Sequence, residues 1–261
     1  PDVFARDENI GIAYGMGLTA EKVAEQWKVS REDQDAFALE SHRRAVAAIA
    51  GGEFKQEILS YTVIDRSPDS RTMEVRIRER VVENDEGPRA DSSLETLAKL
   101  KPVFAARGSV TAGNSSQMSD GAGAALLMSE RMIKQLNLKP LARFVSYAVA
   151  GVPPRIMGIG PIEAIPKALA LAGLKQDDID WFELNEAFAA QSLAVIRELK
   201  LDPAKVNPLG GAIALGHPLG ATGAIRVATL AHGMRRRGGK YGMVTMCIGT
   251  GMGAAAVFEA L

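Results

Sequence analysis

The stretch DIDWFELNEAFAAQSLAVIREL, residues 178–199, changes character in its middle. DIDWFELN reads as a strand, and its end runs straight into a helix from Ala187 to about Leu199. In open α/β sheets, ligands bind outside the carboxyl ends of strands. Asn185 and Glu186 stand at that junction. One reading makes Asn185 a helix N-cap and Glu186 a first-turn acid. The other makes Asn185 a ligand-facing amide that donates, or orients a water.

Outward from this unit the same rhythm continues. LARFVSYAVAG, 141–151, reads as a strand, and PIEAIPKALALAG, 161–173, as a helix with Pro161 in its first turn. Residues 218–237 form a glycine-rich lead-in to another helix. KYGMVTMCIG and GAAAVFEAL, 240–249 and 253–261, are the last two strands. Strand-helix-strand-helix-strand predicts a largely buried sheet with helices on its faces.

Residues 1 to about 118 are more helical and more charged. Thr19 is placed to cap a helix running to about Lys28, and Ser30 with Asp33 opens a second, which stops at Gly51-Gly52. EILSYTVID and RTMEVRIRERVV alternate as half-exposed strands do. SLETLAKLKPVF is a short helix ended by Pro102, and VTAGNSSQMSDGAGAALLMS a polar turn followed by a buried strand, Ala124 to Met128. SDGAGAALLMS, 119–129, and GTGMGAAAVFEA, 249–260, share a pattern of a loop, paired glycines and an apolar strand. A duplicated α/β half-domain would leave that echo.

Bulk composition narrows the function classes. Lys+Arg and Asp+Glu each number 31 in 261 residues, so no field exists to hold nucleic acid by counterion release. The run Arg235–Arg237 follows an apolar helix and suits its C-terminus, the alternative being contact with a phosphate-bearing ligand. A single cysteine, Cys247, forbids an intrachain disulfide and points to a reducing, cytoplasmic setting. No run of eighteen apolar residues spans a membrane, and no signal peptide shows. One cysteine and three scattered histidines offer no metal spacing. P-loop, dinucleotide and G-x-S-x-G patterns are absent.

Two further stretches carry chemistry. GGAIALGHPLGATG, 210–223, is almost free of charge and bulk, so its main chain allows close approach. It places His217 just before a helix, where an imidazole serves proton transfer near neutral pH. A buried histidine ordering a turn is the bland alternative. CIGTGMG, 247–253, puts the lone thiol at a strand's carboxyl end beside glycines whose N–H groups would serve an oxyanion. There the bland reading is a small buried apolar residue. A thiol acting as a base on carbon calls for a lowered pKa. His42 and His232 lie within helical patterns and read as structural.

Taken in order and spacing, Asn185 in NEAFA, His217 in GGAIALGHPLGATG and Cys247 in CIGTGMG closely resemble the three C-terminal signatures of the thiolases. TAGNSSQMSDGAGA, 111–124, resembles that family's AGN-x-S…DGA stretch, and residues 11–45 resemble the start of its inserted loop domain. The resemblance covers the whole chain and is nearest to 3-ketoacyl-CoA thiolases of the β-oxidation type, with the biosynthetic acetyl-CoA acetyltransferases very similar.

The resemblance implies a five-layered α/β/α/β/α fold made of two similar half-domains with an inserted loop domain. Residues 1–118 would be the loop domain, 119–138 the end of the first half, and 139–261 the second half. It implies acyl transfer through a cysteine thioester, with coenzyme A and acyl-CoA as substrates and no cofactor. His217 would deprotonate the nucleophilic thiol and steady an enolate oxygen, and Asn185 would hold the water sharing that task. Cys247 would exchange a proton with the substrate α-carbon, and Gly249 would donate its N–H to the thioester oxyanion. Ser116 would bond the pantetheine arm, Ala112 and Phe188 line the channel, and Arg89 approach the adenine end.

A homodimer or homotetramer is the implied assembly. The acylated cysteine of the family is expected upstream of Pro1, in an N-terminal segment this chain lacks, so the chain alone is expected to be inactive. Two rivals remain. One is a non-catalytic, thiolase-like binding or scaffold subunit. The other is a decarboxylating ketoacyl synthase, which generally carries two histidines where this chain has His217 and Cys247.

Overall fold

A computed structural model describes residues 10–261. Helix α1, Met16–Gln26, and helix α2, Arg31–Ala50, come first. Ser30 caps α2 by accepting the Asp33 N–H, as its sequence predicts. Thr19 does not cap α1. It lies inside the helix, its hydroxyl donating to the Met16 carbonyl at 2.7 Å, while extended Gly15 precedes the first turn.

Strands β1, Tyr61–Asp69, and β2, Glu74–Val82, then form an antiparallel hairpin. The alternation predicted one covered face, yet Ile64, Val75, Ile77 and Val81 are exposed. Helix α3, Leu94–Ala98, carries a Ser93–Thr96 capping box and ends before Pro102. The predicted strand Ala124–Met128 does not form. Leu126 and Leu127 are 82% and 79% exposed. A strand needs a neighbour to satisfy its ladder, and none of the described strands lies beside this segment. Helix α4, Glu130–Gln135, follows.

The second half is built on one four-stranded sheet. Its strands are β3, Ala142–Gly151, β4, Trp181–Leu184, β5, Tyr241–Ile248, and β6, Met252–Ala260, in the order β3-β6-β5-β4. The first two pairings are antiparallel, and β4 runs parallel to β5 with Leu184 opposite Thr245. Helix α5, Gly160–Ala172, covers one face, where Ile165, Leu169, Phe182, Leu184, Met243 and Val257 form the main core. Helix α6, Ala189–Glu198, adds Val195 and Ile196 to that core.

The other face carries α8, Thr222–Arg237, preceded by the single turn α7, Ala212–Leu215. Leu230 and Met234 of α8 pack on Trp181 and Val244, with Ala48 and Phe54 closing the cluster. Side chains alternate across β4, so Phe182 and Leu184 face the α5 core, whereas Trp181 and Glu183 face α8. At Gly233 a Cβ would lie 2.4 Å from the Trp181 ring, so the helix approaches β4 only because no side chain stands there. Arg235–Arg237 end α8 before left-handed Gly238, and Arg236 and Arg237 pair with Glu53.

Candidate active site

The carboxyl end of β4 is the centre of the site. Asn185 continues the strand, its N–H donating to the Thr245 carbonyl at 3.0 Å. It is not the cap of α6; extended Phe188 holds that position. Asn185 is almost fully buried, and its amide Nδ2 lies 3.3 Å from His217 Nε2. The other ring nitrogen, Nδ1, lies 2.7 Å from Thr222 Oγ1. Thr222 has one hydroxyl proton, which it donates to the Pro218 carbonyl at 2.9 Å. The Thr222 oxygen therefore accepts from the ring, which assigns the neutral tautomer with the proton on Nδ1. Nε2 is left with a lone pair, facing the Asn185 amide. Burial and the Arg226 charge both push the His217 pKa down, so the imidazole is neutral at physiological pH. The Asn185 carbonyl oxygen is buried without a partner, as a group awaiting a ligand or water would be.

Glu186 points the opposite way and is structural. Its carboxylate accepts from Ser41 Oγ at 2.6 Å, from Asn207 Nδ2 at 2.8 Å and from the Ile213 N–H at 3.2 Å. Burial pushes its pKa up, against the pull of these donors. The bare loop now has a physical reason. A Cβ on Gly211 would sit 2.1 Å from the Glu186 carboxyl carbon, so the glycine admits the carboxylate beneath the histidine loop.

The 111–121 stretch runs past both elements. Ser115 bridges Phe188, and the Ser116 N–H donates to the Ala187 carbonyl at 3.0 Å. Gln117 Nε2 lies within 2.9–3.1 Å of the carbonyls of Gly87, Ile213 and Ala214. Ser116 and Phe188 are half-buried and Ala112 is exposed. Phe188 meets Phe104 edge-on at 6.1 Å. Arg89 is exposed, and its backbone N–H donates to His42 Nδ1 at 3.1 Å. His42 thus pins the 83–93 segment to α2.

Cys247 lies two positions past Thr245 on β5, at the carboxyl end of the strand beside Asn185. The lowered thiol pKa expected from the sequence is not found. Burial pushes it up to about 12, and among the described residues no cation offsets that desolvation. Gly249 begins the turn to β6, with open space where a side chain would project. So the structure joins Asn185 to His217, sets Cys247 on the adjacent strand end, and lays Ser116 against the chain between Asn185 and Phe188. Arg89 is tied instead to α2.

Sequence reasoning missed three contributors. Thr222 read only as part of a helix lead-in; its role depends on the loop closing back on the helix. Gln117 gave no signal. The buried ion pair Glu183–Arg226, at 3.2 Å, left none either, since each residue alone looks like an ordinary surface charge. Among the described residues no helix is long and apolar enough to cross a membrane.

Residues 4–131 match the family model described as Thiolase, N-terminal domain, and residues 138–260 that described as Thiolase, C-terminal domain. The chain is 56% identical to a Bacillus subtilis protein named 3-ketoacyl-CoA thiolase, over 94% of this chain and 62% of that one. The crystal structure of the Bacillus anthracis acetyl-CoA acetyltransferase superposes with a TM-score of 0.89 at 48% identity, over 94% of this chain and 60% of its own. The dimeric peroxisomal thiolase of Saccharomyces cerevisiae gives 0.86 at 44%, over 100% and 62%. The chain thus spans about three-fifths of the length of these proteins.

Proposed function

Because this chain belongs to the thiolase family, we propose that it supplies the acid–base half of an acyl-CoA C-acyltransferase. The reaction is thiolytic cleavage of 3-ketoacyl-CoA by coenzyme A, as in fatty-acid β-oxidation, together with the reverse Claisen condensation. The observation that carries this reading is the His217 ring, clamped between Asn185 and Thr222 with Nε2 as the free base.

In this reading a cysteine outside the 261 residues is the nucleophile. His217 Nε2 takes its proton, and the thiolate adds to the C3 carbonyl of the substrate. Collapse breaks the C2–C3 bond and leaves an acyl thioester plus the enolate of acetyl-CoA. The new Nε2–H, and a water held by the Asn185 carbonyl, steady the enolate oxygen. Cys247 delivers a proton to C2. A thiol kept protonated is ready to act as the acid of that step. Gly249 N–H serves the thioester oxyanion, and coenzyme A then takes the acyl group. Ser116 holds the pantetheine arm, Ala112 and Phe188 line the channel, and Arg89 meets the adenine end. Coenzyme A and acyl-CoA enter as substrates, and no further cofactor is used. A homodimer is proposed from the dimeric yeast relative, and a cytoplasmic setting from the single cysteine.

The test is made on the chain completed with the remaining two-fifths of its relatives' length. His217→Ala abolishes thiolysis. Cys247→Ser stops turnover while labelled acetyl-CoA still acylates the nucleophile; no label on that variant would overturn the roles. Rates on 3-ketoacyl-CoA of graded length decide between this reading and a biosynthetic acetyl-CoA acetyltransferase, which would accept only the shortest. Coenzyme A binding without any turnover would favour a non-catalytic subunit.

A further inference from the structure

Two cross-element contacts lie side by side between β4 and α8. On β4, Glu183 and Asn185 are two residues apart and so share the α8 side of the strand. On α8, Thr222 and Arg226 are four apart and share one face of the helix. The upper contact is Asn185–His217–Thr222, already described. The lower is Glu183 Oε2 to Arg226 Nη1, 3.2 Å, with the side chains 0% and 2% exposed. Glu183 is fixed from its other oxygen by Trp181 Nε1–H at 2.7 Å. We propose that the Glu183–Arg226 pair is a positioning pair for His217: it sets the register of α8 on β4, and its guanidinium presents a buried positive charge to the ring. The inference rests on His217 being the base of the proposed reaction.

The chemistry follows from where the charge sits. A second cation beside a desolvated imidazole opposes its protonation, so Nε2 keeps its lone pair for the incoming thiol proton. Among the described residues, the Arg226 charge is the ionic influence on His217 that adds to burial. The charged neighbours of this patch come from four elements. Glu183 and Glu186 flank Asn185 on either side, Glu57 follows α2, Asp85 follows β2, and each of the four carboxyls lies in the Arg226 field. Among the described residues only Glu183 pairs with it. Cys247, on the neighbouring strand, is uncharged. The Arg226 Nε–H is also buried without an acceptor among the described residues. A guanidinium that served packing alone would be cheaper as an apolar side chain.

The protein has only three histidines, so each imidazole can be followed separately by NMR as pH is changed. Arg226→Gln is expected to raise the His217 midpoint by about one pH unit. Arg226→Lys, which keeps the charge, should leave it close to the native value. His42 and His232 should not move in either variant. No rise in Arg226→Gln, or an equal shift in Arg226→Lys, overturns the proposal. Should Arg226→Gln fail to fold, Glu183→Gln decides: with the cation less balanced the midpoint falls, and an unchanged or raised midpoint refutes the pair's role. These readings need no turnover. A chain that shows them yet fails to catalyse once completed would refute the proposed function while leaving the electrostatic coupling of Arg226 to His217 established.

Discussion

The Ser41 hydroxyl donates to the Glu186 carboxylate at 2.6 Å across 145 positions of sequence. The same oxygen accepts the Gly211 N–H at 3.0 Å. One serine of α2 therefore ties the covering helices to both the asparagine junction and the histidine loop. Ser41→Ala leaves a buried carboxylate short of a donor. It should cost about 1.5–3 kcal/mol, read as a lower urea midpoint at unchanged slope. A change under half of that would mean water replaces the hydroxyl.

Gly211→Ala forces a methyl into the Glu186 carboxylate. The loss should be about 1–3 kcal/mol, and the His217 loop should move with it. Gly220→Ala is the matched control, because nothing lies within 4 Å of its added Cβ. Its melting temperature should stay within a degree or two of the parent.

Glu57 makes stability depend on pH. Folding raises its pKa from 4.5 to about 7, mainly through burial, while the Thr229 hydroxyl at 2.8 Å pulls the other way. The folded state thus holds this proton more tightly. Its contribution is whole below pH 4.5, is lost as pH rises through about 7, and is constant above that. The loss amounts to about 3 kcal/mol. Denaturation of Glu57→Gln across the same range should show a flatter profile, and identical profiles would contradict the assignment.

Thr222→Val removes the acceptor for the His217 Nδ1 proton while preserving shape. Imidazole 15N shifts should then report a mixture of tautomers instead of one. In the completed enzyme kcat should fall at least about tenfold. A single retained tautomer would show that some other group sets the ring.

Cys247, with its pKa pushed up to about 12, carries very little thiolate at neutral pH. Alkylation by iodoacetamide should run at least about tenfold slower than for an ordinary free thiol. An equal rate would show that the thiol is activated after all.

Much of the fold was legible because local rules agree with the tertiary result. Ser30-x-x-Asp33 marked the start of α2, and Gly238 the end of α8. The junction at Asn185 was visible as a short apolar run followed by helical spacing. Ala124–Met128 failed for the opposite reason. Its composition is that of a strand, but strand formation is decided by a partner elsewhere. The hairpin formed as its alternation predicts, but its apolar face stays exposed: alternation fixes which residues share a face, not whether anything covers it.

By itself, the sequence singled out the residues proposed here to carry the chemistry. The imidazole and the thiol sit in glycine-rich stretches, and the asparagine at a strand-to-helix junction, places where local sequence rules point to a site. Only the tertiary structure decided what state each is in. The tautomer of His217 is set by Thr222, 5 positions on, and the buried charge of Arg226 is met by Glu183, 43 positions back, while burial holds the Cys247 proton. Hydrogen bonds and desolvation act through space, over a few ångströms, and a one-dimensional order does not record those distances.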